Sequence, residues 1–154
     1  MQNENHWYII VNPAAGNGEA KRLWPGIKSI LTEAFPYASI VYSQYRDHAL
    51  ELVAEAVEAG FRKIMAVGGD GTNHEVANGI LMQNTVPSTE ITYVLFPVGT
   101  GNDWIKTHGI PKDTNQWLKM VHAGKTFQQD VGLLEYHQSG VSNLRYFVNV
   151  SGLA

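Results

Sequence analysis

Residues 67–75 read Val-Gly-Gly-Asp-Gly-Thr-Asn-His-Glu and follow directly on the apolar run Lys63–Val67, KIMAV. Glycine loses more conformational freedom on folding than any other residue, so glycines on both sides of a carboxylate need a physical reason. An apolar run followed by a turn-rich cluster is a strand ending in a loop. Apolar spacing then resumes with helical period, and the sequence predicts a helix over 72–82, with Thr72 and Glu75 at the S/T-x-x-E spacing of a capping box.

The same strand–loop–helix grammar recurs on either side. Trp7–Val11 reads as a strand ended by Asn12–Gly18, NPAAGNG. A helix is predicted over 19–35, with Leu23, Ile27, Ile30, Leu31 and Ala34 at helical spacing and Pro25 marking a kink or two joined segments. Residues 38–43 read as a second strand. Asp47 is placed to cap a helix that runs to Ala59 and stops at Gly60. Residues 91–96 form a fourth strand, followed by Pro97-Val98-Gly99-Thr100-Gly101-Asn102-Asp103. Residues 113–123 read as a helix capped by Asp113 and Gln116. Beyond Gly124 the alternation stops, and 126–136 and 144–150 read as an antiparallel hairpin joined by the turn-rich stretch 137–143.

Four strand–helix alternations predict an α/β fold, a parallel sheet with helices on both faces, over residues 1–124. Residues 125–154 read as the start of a β-rich second domain. The sequence stops mid-element at VNVSGLA, as a piece of a longer protein would. Three glycine-rich loops each follow a strand, so all three belong to one sheet edge, where such folds bind ligands.

Composition narrows the function. The 154 residues suit about one domain, and 44% apolar against 16% charged content is that of a globular chain. A net charge of −3 argues against a nucleic-acid binder. Without cysteine there is neither a disulfide framework nor thiolate chemistry. No apolar run approaches the roughly 20 residues of a membrane span, and the N-terminus lacks the features of a signal peptide, so the expectation is a soluble, cytoplasmic protein.

Glycine-lined backbone amides at a helix start suit an anion, and phosphate in particular. The Walker pattern G-x-x-x-x-G-K-[ST] is absent, and G-x-G-x-x-G fails because Trp104 stands where its third glycine should be. Asp70 would repel a phosphate unless it holds Mg²⁺ or accepts a proton from an attacking hydroxyl. Asn102 and Asp103 are placed either to contact the nucleotide or to cap a short segment over 104–108. The six histidines show no H-x-x-x-H pair, so no zinc site is expected.

VNPAAGNG, VGGDGTNHEVANGI and FPVGTGNDW, in this order and spacing, resemble the catalytic domain of the diacylglycerol kinase family, which includes bacterial lipid kinases and the sphingosine and ceramide kinases and is related in fold to NAD kinases. The resemblance implies transfer of the γ-phosphoryl group of ATP to a lipid hydroxyl, with Mg²⁺. It implies a first nucleotide loop at Asn12, Pro13, Ala14, Ala15 and Gly16, a main loop at Gly68, Gly69, Asp70, Gly71, Thr72 and Glu75, and a third at Thr100, Gly101, Asn102 and Asp103. Ser43 stands where the family often has threonine, and Lys106 where arginine is common. Asp70 matches an acid that serves as general base in sphingosine kinases and joins a metal–water network in bacterial diacylglycerol kinases. The tighter metal ligands are implied to lie in the second domain. The implied partners are ATP and a lipid alcohol, with peripheral membrane contact; a homodimer is compatible with this reading. An NAD kinase-like enzyme and a non-catalytic nucleotide-binding domain stay open as alternatives.

Overall fold

The computed structural model describes residues 2–99, 103–127, 132–138 and 141–147, the last two stretches in backbone only. Four strands, β1 (Trp7–Val11), β2 (Ser39–Tyr42), β3 (Lys63–Gly68) and β4 (Thr92–Pro97), form one sheet in the order β2-β1-β3-β4. Every pairing in it is parallel, with Ile10 level with Val41 and Ala66, and Ala66 level with Leu95.

Alternation along the strands builds two cores. Ile9, Val11, Met65, Val67, Val94 and Phe96 face one side, where α1 (Glu19–Ala34) brings Ala20, Ile27 and Leu31 and α5 (Thr114–Ala123) brings Trp117. Tyr8, Ile10, Ile64, Ala66 and Leu95 face the other, against α2 (His48–Glu58) and α3 (Asp70–Met82). Each fully buried aliphatic side chain contributes about 1.5–3 kcal/mol. The short α4 (Asp103–Thr107) adds Trp104 and Ile105 to the second core. Trp117 donates its indole N–H to the Leu95 carbonyl at 2.9 Å, which satisfies a polar atom inside the first core.

Three expectations need correction. α1 runs from Glu19 to Ala34 as one helix with Pro25 inside it, not as two joined segments; Pro25 and Lys21, whose carbonyl loses its donor, both lie on the solvent side, where the missing bond costs least. The third helix starts at Asp70, two residues before Thr72. The hairpin strands are β5 (Gly132–Gln138) and β6 (Val141–Phe147), antiparallel, so most of the stretch 137–143 expected as a turn is paired strand. Asp113 caps α5 as expected, accepting the Gln116 N–H at 3.0 Å. Among the described residues no helix is long and apolar enough to cross a membrane.

Candidate functional site

The chain leaves β1 toward β2 and returns on the opposite side to β3, so the connections diverge between β1 and β3. In open α/β sheets the crevice beyond the carboxyl ends at such a point is the binding position. Asn12 and Gly69–Thr72 lie there, directly after those two strands.

Asn12 stitches the two loops together. Its N–H donates to the Val67 carbonyl at 3.1 Å, its Nδ2 donates to Thr72 Oγ1 at 3.0 Å, and its Oδ1 accepts the Ala14 N–H at 3.1 Å. The third loop joins through Val98, whose N–H donates to the Gly68 carbonyl at 2.8 Å. Gly16 and Gly99 then meet backbone to backbone: a Cβ added to either would stand 3.4 Å from the other's Cα. Both hold left-handed φ, +63° and +93°, which glycine adopts without steric cost. Asn12, Gly16, Gly68, Thr72 and Gly99 therefore form one continuous rim. Thr100, Gly101 and Asn102 lie outside the described residues.

The main loop uses its glycines differently. Thr72 is buried over Gly68, where an added Cβ would come within 2.6 Å of Thr72 Cβ. Gly71 is exposed in the first turn of α3, and an added Cβ there would meet nothing within 4 Å. The N–H groups of a helix's first turn have no intrahelical acceptor and carry the positive end of its dipole. Asp70 is the first residue of α3 and half-buried. Pro13 is half-buried, Ala14 exposed and Ala15 buried in the α1-side core. Ser43 extends the β1 pairing, its N–H donating to the Val11 carbonyl at 2.9 Å and its hydroxyl to the same oxygen at 3.4 Å. Asp103 is exposed at the start of α4, where its carbonyl accepts the Thr107 hydroxyl at 3.0 Å.

The capping box is not formed. Gly69 occupies the N-cap, the Thr72 hydroxyl accepts from Asn12, and Glu75 Oε1 accepts the backbone N–H of Asp47 at 3.1 Å. Helical spacing licenses the box only if Thr72 stands at the N-cap, and the helix starts too early for that.

One polar pair beneath the rim had no place in the sequence reading. Tyr93 donates its hydroxyl to Asn73 Oδ1 at 2.7 Å, and Asn73 is fully buried with Nδ2 unpartnered. Burial holds the Tyr93 hydroxyl well above its usual ionisation range. The available signal was an asparagine one turn ahead of the apolar Val76 and Ala77, on the side of α3 that must pack.

Among the described residues no three acidic, histidine or cysteine side chains cluster as a metal site. Of the cations near the first loop, Arg22 makes an exposed contact with Glu19 at 3.4 Å. A separate groove of about 340 Å³ between α1 and α5 is lined mainly by apolar groups, including Leu23, Ile27, Ile30 and Phe96, and lacks the amide-rich character of the rim.

A family model described as the diacylglycerol kinase catalytic domain matches residues 6–134. A protein of Staphylococcus haemolyticus (strain JCSC1435) named diacylglycerol kinase is 33% identical over 144 residues, which cover 93% of this chain and 40% of that protein. A Staphylococcus saprophyticus protein of the same name is 30% identical over 143 residues, 93% of this chain and 43% of its own. The crystal structure of a diacylglycerol kinase from Bacillus anthracis str. Sterne shares the fold with a TM-score of 0.70 at 28% identity, covering 94% of this chain and 46% of that one. The chain thus spans less than half the length of each of these relatives.

Proposed function

The chain belongs to the diacylglycerol kinase catalytic domain family, and from that membership we propose that it is the nucleotide-binding part of a kinase that moves the γ-phosphoryl group of ATP to a lipid hydroxyl. The names of its relatives support a kinase. The observation that carries the nucleotide reading is the joined rim, and within it Gly71. Gly68 and Gly79 are glycines because side chains occupy the space a Cβ would need. Gly71 has open space and no left-handed φ, so packing gives no reason for it. A ligand that approaches the peptide backbone there does.

In this reading the backbone of Asn12–Gly16, Gly68, Gly69, Gly71 and Thr72, continued by Thr100–Asp103, surrounds the phosphates, with Ser43 beside the nucleotide. No Walker lysine is present, so peptide N–H groups and the positive end of α3 orient and neutralise the triphosphate. Asp70 fits as the ligand that holds Mg²⁺ at the mouth of this cradle. When bound, the ion neutralises charge on the phosphate oxygens. Phosphoryl transfer depends chiefly on positioning and charge, which a rigid rim supplies. Residues 1–124 form the nucleotide domain, and 125–154 lead into a β-rich second domain that completes the cleft and chooses the lipid at a peripheral membrane contact.

The test is saturable binding of Mg·ATP to this chain by calorimetry, followed by a transfer assay with γ-labelled ATP on the chain in its longest natural form. Diacylglycerol vesicles, other lipid alcohols and NAD are the acceptors offered. Label in lipid supports the reading; label in NAD alone overturns it.

A further inference from the structure

We propose that Glu75 is a positioning residue, which holds the loop of residues 43–47 against the head of α3 through a backbone N–H rather than through a metal ion or a phosphate. Only the nucleotide arm of the test below rests on the kinase reading.

Glu75 Oε1 accepts the Asp47 N–H at 3.1 Å. Asp47 has φ +65° and ψ 5°, the left-handed region that a residue with a Cβ adopts rarely and at a cost. Its side chain makes no cap to α2. The carboxylate of Glu75 offsets the strain by engaging the N–H that this conformation presents.

The rest of the loop is anchored to its own neighbourhood. Ser43 N–H bonds the Val11 carbonyl, Gln44 N–H bonds His48 Nδ1 at 3.0 Å, and His48 N–H bonds the Tyr45 carbonyl at 3.1 Å. The rings of Tyr45 and His48 stack at 4.2 Å with 13° between planes. Glu75 adds an anchor from the helix whose first turn carries Asp70, Gly71 and Thr72. Because Val11 is level with Tyr42, this loop leaves the sheet at the same edge as Asn12. One rigid helix therefore fixes both the phosphate-facing turn and the loop carrying Ser43 and the exposed cation Arg46.

The chemistry gives a discriminator. Accepting an N–H needs one oxygen, which a carboxamide also has; accepting a proton needs the carboxylate, and a neutral carboxamide oxygen holds Mg²⁺ more weakly than a carboxylate does. Glu75→Gln should keep the loop and Glu75→Ala should release it. In the full chain, Glu75→Ala should speed hydrogen exchange at the Asp47 amide by about tenfold or more, while Glu75→Gln stays within about threefold. Mg·ATP affinity should follow, falling about tenfold in Glu75→Ala and within about twofold in Glu75→Gln. Asp47→Gly removes the left-handed strain, so Glu75→Ala/Asp47→Gly should recover part of the Mg·ATP loss while its residue-47 amide, still without an acceptor, exchanges fast. The proposal is overturned if Glu75→Gln loses Mg·ATP as severely as Glu75→Ala with its Asp47 amide still protected, since charge would then be the working property. It is equally overturned if Glu75→Ala leaves Asp47 exchange unchanged. Should Glu75→Ala fail to fold, Glu75→Gln and the double variant decide it. If the unaltered chain binds no Mg·ATP, the kinase reading fails, and the exchange measurement still judges the loop.

Discussion

Gly68 and Gly71 lie three residues apart and answer to different constraints. At Gly68 an added methyl would collide with buried Thr72, whose hydroxyl receives Asn12. Gly68→Ala should cost about 1–3 kcal/mol in urea unfolding, as overpacking does. Gly71→Ala should leave stability unchanged or raise it by up to about 1 kcal/mol, because alanine is the better helix residue, and should weaken Mg·ATP binding by obstructing the backbone. A Gly71→Ala chain that binds Mg·ATP normally would remove the main support for a phosphate cradle. The glycine cluster was legible because the need for a missing side chain is written in the residue itself. The partner of Glu75 was not, because Asp47 lies 28 residues away and no local spacing reports it. The Asn73–Tyr93 pair was hidden for the same reason, and it carries a pH signature. The fold accepts only the neutral phenol, whereas an unfolded tyrosine ionises near about pH 10. Above that pH the unfolded chain releases a proton that the folded chain retains, so this stability is complete below about pH 10 and declines as pH rises further. Tyr93→Phe should flatten that alkaline decline and cost about 1–3 kcal/mol at pH 8, since the Asn73 carboxamide loses its phenol; urea titrations at pH 8 and pH 10.5 read both.

Between elements, α2 packs closely over α3 at Gly79. A Cβ on Gly79 would lie 2.9 Å from Val53 Cβ and 3.3 Å from the Leu50 Cα. The Leu50 atom is backbone, so it cannot rotate away. Gly79→Ala gains about 1 kcal/mol of helix propensity and should still destabilise the chain by about 1–2 kcal/mol net, because the helices must separate; a thermal melt that rises instead would show that they slide freely. Element type was legible wherever burial has a period: Leu52, Val53, Ala56 and Val57 mark the inner face of α2 plainly. Boundaries depended on interactions across elements. α3 begins at Asp70 because Thr72 is engaged by Asn12, which the capping pattern cannot reveal. Pro25 reads as an interruption locally and is accommodated by facing solvent. In the hairpin, the polar residues of 137–143 look turn-like one at a time, yet His137, Gln138, Val141, Ser142 and Asn143 pair across the ladder.

For the whole molecule, four strand–helix repeats were enough to place three loops on one edge, because every loop that follows a parallel strand exits on the same side. The order β2-β1-β3-β4 was not legible, since all four strands are comparably apolar and nothing local distinguishes an edge from a centre. That order puts Asn12 beside Thr72 and gives the rim its coherence. A rim that is already joined needs little rearrangement to receive a triphosphate, so ligand binding should appear as stabilisation of the entire chain. At a free Mg·ATP concentration of about 100 times the dissociation constant, linkage adds about 2.7 kcal/mol, or about 5–10 °C in Tm for a chain of this size. ATP with a chelator should give a smaller shift if Asp70 holds the cation, and Asp70→Asn should make the two shifts nearly equal without lowering the ligand-free Tm by more than about 1 kcal/mol equivalent. Inorganic sulfate at the same ionic strength controls for a generic anion effect. An equal shift with sulfate, or none with Mg·ATP at millimolar concentration, would mean that the joined loops serve the fold alone.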